Sequence, residues 1–404
     1  MSSNVVPEPV QRFIEYLQIK TVQPKPDYAS CTEFLRKQAS EIGLEFTVTE
    51  CVANKPIVVL TLPGFEPSLP SIILNSHTDV VPVFPKSWTQ EPFSGARVPD
   101  SSGDHRIYAR GAQDMKIVGM GYLEALRALK HRGTQLRRTV HAVFVPDEEI
   151  GGHDGMELYV DSEEFKTLNA GFALDEGMAN PEPELRVFYG ERAPCWIKFI
   201  ARGNAGHGSQ FIDDTAGEKI NAVIGRMLTF RKEQMAVLGE RREDGSYRTL
   251  GDVTSTNLTL LESGVQHNVV PETAMAGFDI RMTPSIDYSE FRRWIEQLAA
   301  EHGVDVEFVQ FWSDSTTTET SASDPFWAAF EGAVNGLGIE FKKEIFPAAT
   351  DSRYLRRAGV PALGVSPLCG LPILLHDHDE YVRESDFTNA IAFYVNVVSA
   401  LASV

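Results

Sequence analysis

The chain has 404 residues, enough for two or three domains with a sizeable core. Lys plus Arg number 37 and Asp plus Glu 56, a net charge of −19, which argues against nucleic acid or anionic membrane as partner because either would be repelled. No apolar run approaches the roughly 20 residues of a membrane span, MSSNVVPEPV at the start has no basic stretch before an apolar core, and Cys31, Cys51, Cys195 and Cys369 form no CxxC pair, so a soluble cytoplasmic protein with free thiols is expected.

Val10, Phe13, Ile14 and Leu17 recur at helical spacing. Ser30 with Glu33 predicts a capping box that opens a second helix through Phe34, Leu35 and Ile42, ended by Gly43. Strands are predicted over 45–51, 57–62 and 71–75, a helix over 115–130, and strands over 139–145 and 171–174. Apolar runs alternating with helices imply a parallel or mixed sheet covered on both faces. The pattern changes near residue 192. A strand APCWIKFIARG, a helix over 214–238, the alternating runs VTSTNLTLLES and ETAMAGFDIRMT, a helix over 288–302 and the strand VDVEFVQFW follow the β-α-β-β-α-β order of a ferredoxin-like fold. The expected fold class is α/β: a mixed-sheet domain from residues 1–191 and 313–404, with an inserted α+β domain at 192–312.

Several apolar runs end in the same chemistry. SIILN leads to His77 and Asp79, HAVFVP to Asp147, Glu148 and Glu149, GFAL to Asp175 and Glu176, and LPILL to His376, Asp377, His378 and Asp379. An acid at a strand end is most often a solvated turn or a helix cap. Several together are different, because adjacent carboxylates repel and no Lys or Arg cluster flanks these. In open α/β sheets ligands bind beyond the carboxyl ends of strands, so these ends can converge on one crevice. Asp114, opening a helix after a glycine-containing loop, is a further candidate. A divalent cation is the natural compensator, and His, Asp and Glu without Cys suit zinc, with manganese or cobalt as substitutes. On this reading His77 binds metal through one ring nitrogen, and Asp79 accepts a hydrogen bond from the other. Spacing alone does not separate Glu148 from Glu149, nor His376 from Asp377 and His378.

The segments LNSHTDVVPV, YARGAQDMK, FVPDEEIGGHDGMEL, GFALDEG and LLHDHDE resemble the two-zinc amidohydrolase family of aminoacylases, carboxypeptidases and dipeptidases, from about residue 10 to the C-terminus. TVQPKPDY, FALDEGMANP and PAATDSRY are most similar to its animal cytosolic aminoacylase branch. The resemblance implies two zinc ions per subunit, one held by His77, Asp114 and Glu176 and the other by Asp114, Glu149 and His376. It makes Glu148 the general base. It also implies a homodimer through the inserted domain, with His207 of GNAGHGS reaching the other subunit's site to stabilise an oxyanion. Arg281 and Arg353 become candidate clamps for a substrate carboxylate, since a guanidinium matches it bidentately, and Asn268 a further substrate contact. The implied reaction is hydrolysis of N-acyl-L-amino acids. A dipeptidase or carboxypeptidase of the same family is the neighbouring alternative, and a metal-free binding protein on the same scaffold the distant one.

Overall fold

The computed structural model describes residues 6–243 and 245–404. The chain divides into two compact units, one of Met1–Tyr189, Thr318–Lys343 and Thr350–Val404, the other of Gly190–Thr317 and Glu344–Ala349.

The first unit is built on an eight-stranded mixed sheet. Its strand Ser71–His77 is buried at every position and lies between Val140–Val145 and Ala170–Asp175, both parallel to it. Burial on both faces is why these strands read as continuous apolar runs rather than alternating ones. Withdrawing Ile72, Ile73 and Leu74 wholly from water contributes about 1.5–3 kcal/mol each. Because the three strands run the same way, His77, the segment after Val145 and Asp175 emerge at one edge. The antiparallel strands Glu45–Val52 and Lys55–Leu62 extend one side of the sheet, and Ala362–Gly364 continues the other in parallel. The helix Lys116–His131 lies on this sheet. Gly119 permits its close approach, since a Cβ there would sit 2.7 Å from Ser76 Oγ and 2.8 Å from the Phe144 ring. The helix Glu384–Leu401 packs beside it, with the Tyr122 and Tyr394 rings 4.6 Å apart.

Two local expectations are corrected. The second helix is Tyr28–Ile42, and its cap is Asp27, whose carboxylate accepts from Ser30 N at 3.0 Å. Ser30 thus lies inside the first turn, because Asp27 offers a stronger acceptor to the free N–H groups of the helix start. The helix does end at Gly43, with φ 77°. The run Leu371–Leu375 is irregular rather than a strand. One side chain meets two of its backbone groups: Gln113 Nε2 donates to Pro372 O at 3.1 Å, and Gln113 Oε1 accepts from Leu374 N at 3.0 Å.

In the second unit, Ala193–Arg202, Ser255–Ser263, Thr273–Met282 and Val304–Phe311 form an antiparallel sheet, with helices Ala216–Leu238 and Tyr288–Glu301 intervening in β-α-β-β-α-β order. The spatial order runs from Ser255–Ser263 through Thr273–Met282 and Ala193–Arg202 to Val304–Phe311, as in ferredoxin-like folds. Cys195, Ile197, Phe199 and Ala201 alternate into its core. The edge strand Ser255–Ser263 leaves Leu260 and Leu261 exposed, and Val265 is exposed just after it. All four cysteines are free. Among the described residues no helix is long and apolar enough to cross a membrane.

Candidate metal centre

At the strand edge of the first unit, His77 Nε2 lies 3.0 Å from Asp114 Oδ1 and 3.7 Å from Glu176 Oε2. His376 Nε2 lies 3.3 Å from Asp114 Oδ2 and 3.0 Å from Glu149 Oε2. Two triads result, each with its donor atoms within 4.8 Å of one another, and Asp114 belongs to both. The His77 triad is buried, whereas His376 brings the other to the solvent. Asp377 and His378 stand outside both triads, with His378 edge-on to Phe84 at 6.1 Å.

The role expected of Asp79 is corrected. His77 Nδ1 donates to the backbone carbonyl of Asp79 at 2.9 Å, while the Asp79 carboxylate stands 3.7 Å away. The carbonyl alone fixes the tautomer and turns the Nε2 lone pair toward Asp114 and Glu176. The carboxylate instead accepts from the backbone N–H of Glu148 at 3.1 Å and of Glu149 at 3.2 Å, and from Gln23 Nε2 at 2.8 Å. It caps the short 3-10 turn Glu148–Ile150, whose first N–H groups have no partner within the turn. Asp79 therefore positions both neighbouring glutamates.

The preceding Asp147 adopts φ 63°. Tyr28 Oη donates to it at 2.6 Å and Gln23 Nε2 at 3.0 Å, and the Lys55 ammonium pairs with its other oxygen. Gln23 and Tyr28 both lie in TVQPKPDY, but their roles as supports could not be read there, because their partners lie far away in sequence. Glu176 follows Asp175, whose carboxylate accepts from Asn75 Nδ2 at 3.0 Å, Ser352 Oγ at 2.7 Å and Glu176 N at 2.9 Å. Glu380 is a third support, fully buried against the loop that ends in Asp114. Its only sequence signal was its place at the end of HDHDE.

Electrostatics test whether cations fit. Burial and the nearby Glu176 charge push the Glu148 carboxyl well up. Burial and Asp114 do the same to Glu176, and push Glu149 up to about 7. Burial acts upward on Asp114 too, but hydrogen bonds from His376 and His77 hold it below the usual range. Hydrogen bonds to Asp114 and Glu149 raise His376 to about 10. Such a cluster takes up protons because its strongest neighbours are other carboxylates and imidazoles, not lysines or arginines. Glu149 Oε1 is buried without a hydrogen-bond partner, an orphaned acceptor of the kind a cation satisfies. Fully ionised, Asp114, Glu149 and Glu176 with Glu148 would carry four negative charges, which two divalent ions balance. The residues therefore fit a pair of metal ions with nitrogen and oxygen ligands.

Arg353 is also in this unit. Its Nη2 donates to Gly151 O at 2.7 Å, next to the turn that carries Glu148 and Glu149. The other three expected site residues lie in the second unit. His207 pairs in register with Val269, and Gly208 N donates to Asn268 O at 2.9 Å, so His207 and Asn268 share one local structure. Ser209 N donates to His207 Nδ1 at 3.2 Å, which leaves the proton on the exposed Nε2. The Arg281 guanidinium forks onto Asp279 of its own strand, at 2.8 and 3.2 Å.

The model of peptidase family M20/M25/M40 matches residues 73–400. The chain belongs to this family. It is 49% identical over 397 residues to Aminoacylase-1 of Sus scrofa, covering 98% of this chain and 95% of that protein. Identity to Aminoacylase-1 of Homo sapiens is 47% over the same length and the same coverage. Among solved structures, an M20 family metallo-carboxypeptidase from Sulfolobus solfataricus superposes with TM-score 0.72 at 17% identity, covering 98% of this chain and all of that one. The M20 chain is thus a hydrolase with the mixed-sheet and ferredoxin-like fold, and its two triads are candidate sites for the family's metal pair.

Proposed function

We propose that this M20 hydrolase cleaves the amide bond of N-acyl-L-amino acids, releasing a carboxylate and a free L-amino acid. The observation that carries the reading is the pair of triads sharing Asp114 with Glu148 alongside, in a chain 49% identical over nearly its whole length to an aminoacylase. His77, Asp114 and Glu176 would hold one zinc ion, and Asp114, Glu149 and His376 the other. When bound, such ions supply Lewis-acid polarisation of the scissile carbonyl and make water more acidic. Glu148, raised above the ordinary carboxylate range by burial and Glu176, takes the proton of the attacking water and then passes it to the departing amine nitrogen. Asp79 holds that carboxylate in place through the backbone of the turn. Arg353 binds the substrate's free carboxylate.

The working form is a homodimer through the ferredoxin-like unit. The edge strand Ser255–Ser263 with exposed Leu260 and Leu261 supports this, since an open apolar strand edge invites pairing. His207 of the partner subunit, its Nε2–H exposed, donates to the developing oxyanion. Asn268, beside His207, is a further substrate contact. Arg281 is the lesser carboxylate clamp, because Asp279 already engages its guanidinium. The protein is cytoplasmic.

A substrate panel tests the reading. N-acetyl-L-methionine should be hydrolysed, and its uncharged amide should have kcat/KM about 10–100-fold lower, the worth of a charge-assisted hydrogen bond. Arg353→Ala should raise KM for the acid by a similar factor. Equal rates on acid and amide would remove the carboxylate clamp, and preference for dipeptides over N-acetyl amino acids would favour a dipeptidase of the same family.

A further inference from the structure

We infer that Glu380 is a positioning residue that sets the metal affinity of the His376 triad and far less that of the His77 triad. This rests on reading the triads as metal sites. Glu380 is wholly buried, and both oxygens of its carboxylate are used on one loop. Oε2 accepts from Arg110 Nη1 at 2.7 Å and from Gly111 N at 3.0 Å. Oε1 accepts from Gln113 N at 2.6 Å and from Asp114 N at 3.2 Å. One side chain thus gathers three backbone donors, those of Gly111, Gln113 and Asp114, of the segment that delivers the shared ligand.

The hold is reciprocal. Gln113 reaches back to the segment that carries His376, donating to Pro372 O at 3.1 Å and Tyr381 O at 3.0 Å and accepting from Leu374 N at 3.0 Å. Strand pairing of Tyr381 with Tyr108 fixes the register, and Ala109 N donates to Glu380 O at 3.1 Å. His376 sits inside the segment so clamped, exposed and at φ 62°. It has no strand to hold it. His77 and Glu176 do: His77 ends a strand paired on both sides, and Glu176 follows directly on another. Loosening the clamp therefore moves two of the three ligands of the exposed triad, Asp114 and His376, but only the shared Asp114 of the buried triad, whose His77 and Glu176 stay.

The substitution Glu380→Gln keeps the volume but turns an NH2 toward backbone N–H groups and leaves Arg110 without its counter-charge. Zinc binding to the metal-stripped full chain is measured with a competing chromophoric chelator. The wild type should bind two ions. Glu380→Gln should bind one ion about 10–100-fold more weakly, the usual effect of losing a ligand's support, and the other, which loses only the hold on the shared Asp114, with a several-fold smaller loss. Excess zinc should restore stoichiometry, a rescue that a merely unstable protein would not show. Gln113→Ala, which buries no new charge, should weaken the same ion and serves if Glu380→Gln does not fold. Unchanged affinities in the folded variants, or equal weakening of both ions, would overturn the inference. A wild type that binds no zinc would overturn the metal reading beneath it.

Discussion

Glu148→Gln should abolish nearly all turnover while the protein keeps its fold and both metal ions. The amide matches the carboxylate in shape but accepts no proton at neutral pH, so the attacking water is not activated and the leaving nitrogen is not protonated. A general base contributes about 10²–10⁴-fold to rate, and kcat should fall by that much with little change in KM. Glu148 belongs to neither triad, so metal content should stay at the wild-type value. Glu149→Gln is the contrast. Its Oε2 lies 3.0 Å from His376 Nε2, and its Oε1 is the orphaned buried acceptor, so this variant should lose an ion. Metal analysis of the two purified variants decides the matter. Loss of an ion from Glu148→Gln and retention by Glu149→Gln would exchange the roles of the two neighbours.

Mixing two inactive proteins should restore activity. His207→Ala removes the proposed oxyanion donor from the ferredoxin-like unit, and it should lower kcat more than it changes KM, because that contact strengthens in the transition state. Glu148→Gln removes the base. If each site joins Glu148 of one subunit to the partner's His207, a mixed dimer has one site with both groups intact. Random pairing of equal amounts makes half the dimers mixed, with one good site in two. Activity should therefore approach roughly a quarter of normal per total site after subunit exchange. No recovery, with exchange demonstrated by differently tagged subunits, would place His207 outside the partner's site.

The gathering of acids and histidines was legible because parallel buried strands leave a plain mark: apolar runs that stop abruptly at charge. His77, Glu148 with Glu149, and Glu176 follow from that mark and from the rule that such strand ends face one crevice. His376 followed it by accident, since Leu371–Leu375 is no strand but a segment held by Gln113. The β-α-β-β-α-β order could be read because alternation in ETAMAGFDIRMT and helical periodicity differ clearly. The second-helix cap was misplaced by three residues, as Ser30 and Asp27 both offer oxygen to a free helix start and sequence does not rank them well.

The supports of the site were not legible, for a shared physical reason. Asp79 was read as the acceptor for His77 Nδ1, but its own carbonyl takes that hydrogen bond, and its carboxylate reaches the turn 69 residues on. Gln23 lies 124 residues from Asp147, and Glu380 lies 266 from Asp114. Such contacts depend on how distant segments converge, which periodicity and spacing do not encode.

The most direct measurement is zinc titration of the metal-free protein, with N-acetyl-L-methionine hydrolysis and bound metal followed together. Activity should be absent without metal, rise with zinc, and reach its plateau at two equivalents per chain. Because the triads take up protons in the absence of ions, each binding step should also release protons to a pH indicator. Full hydrolysis by a preparation verified as metal-free, or a plateau reached with no zinc bound, would contradict a dinuclear metal centre as the seat of this activity.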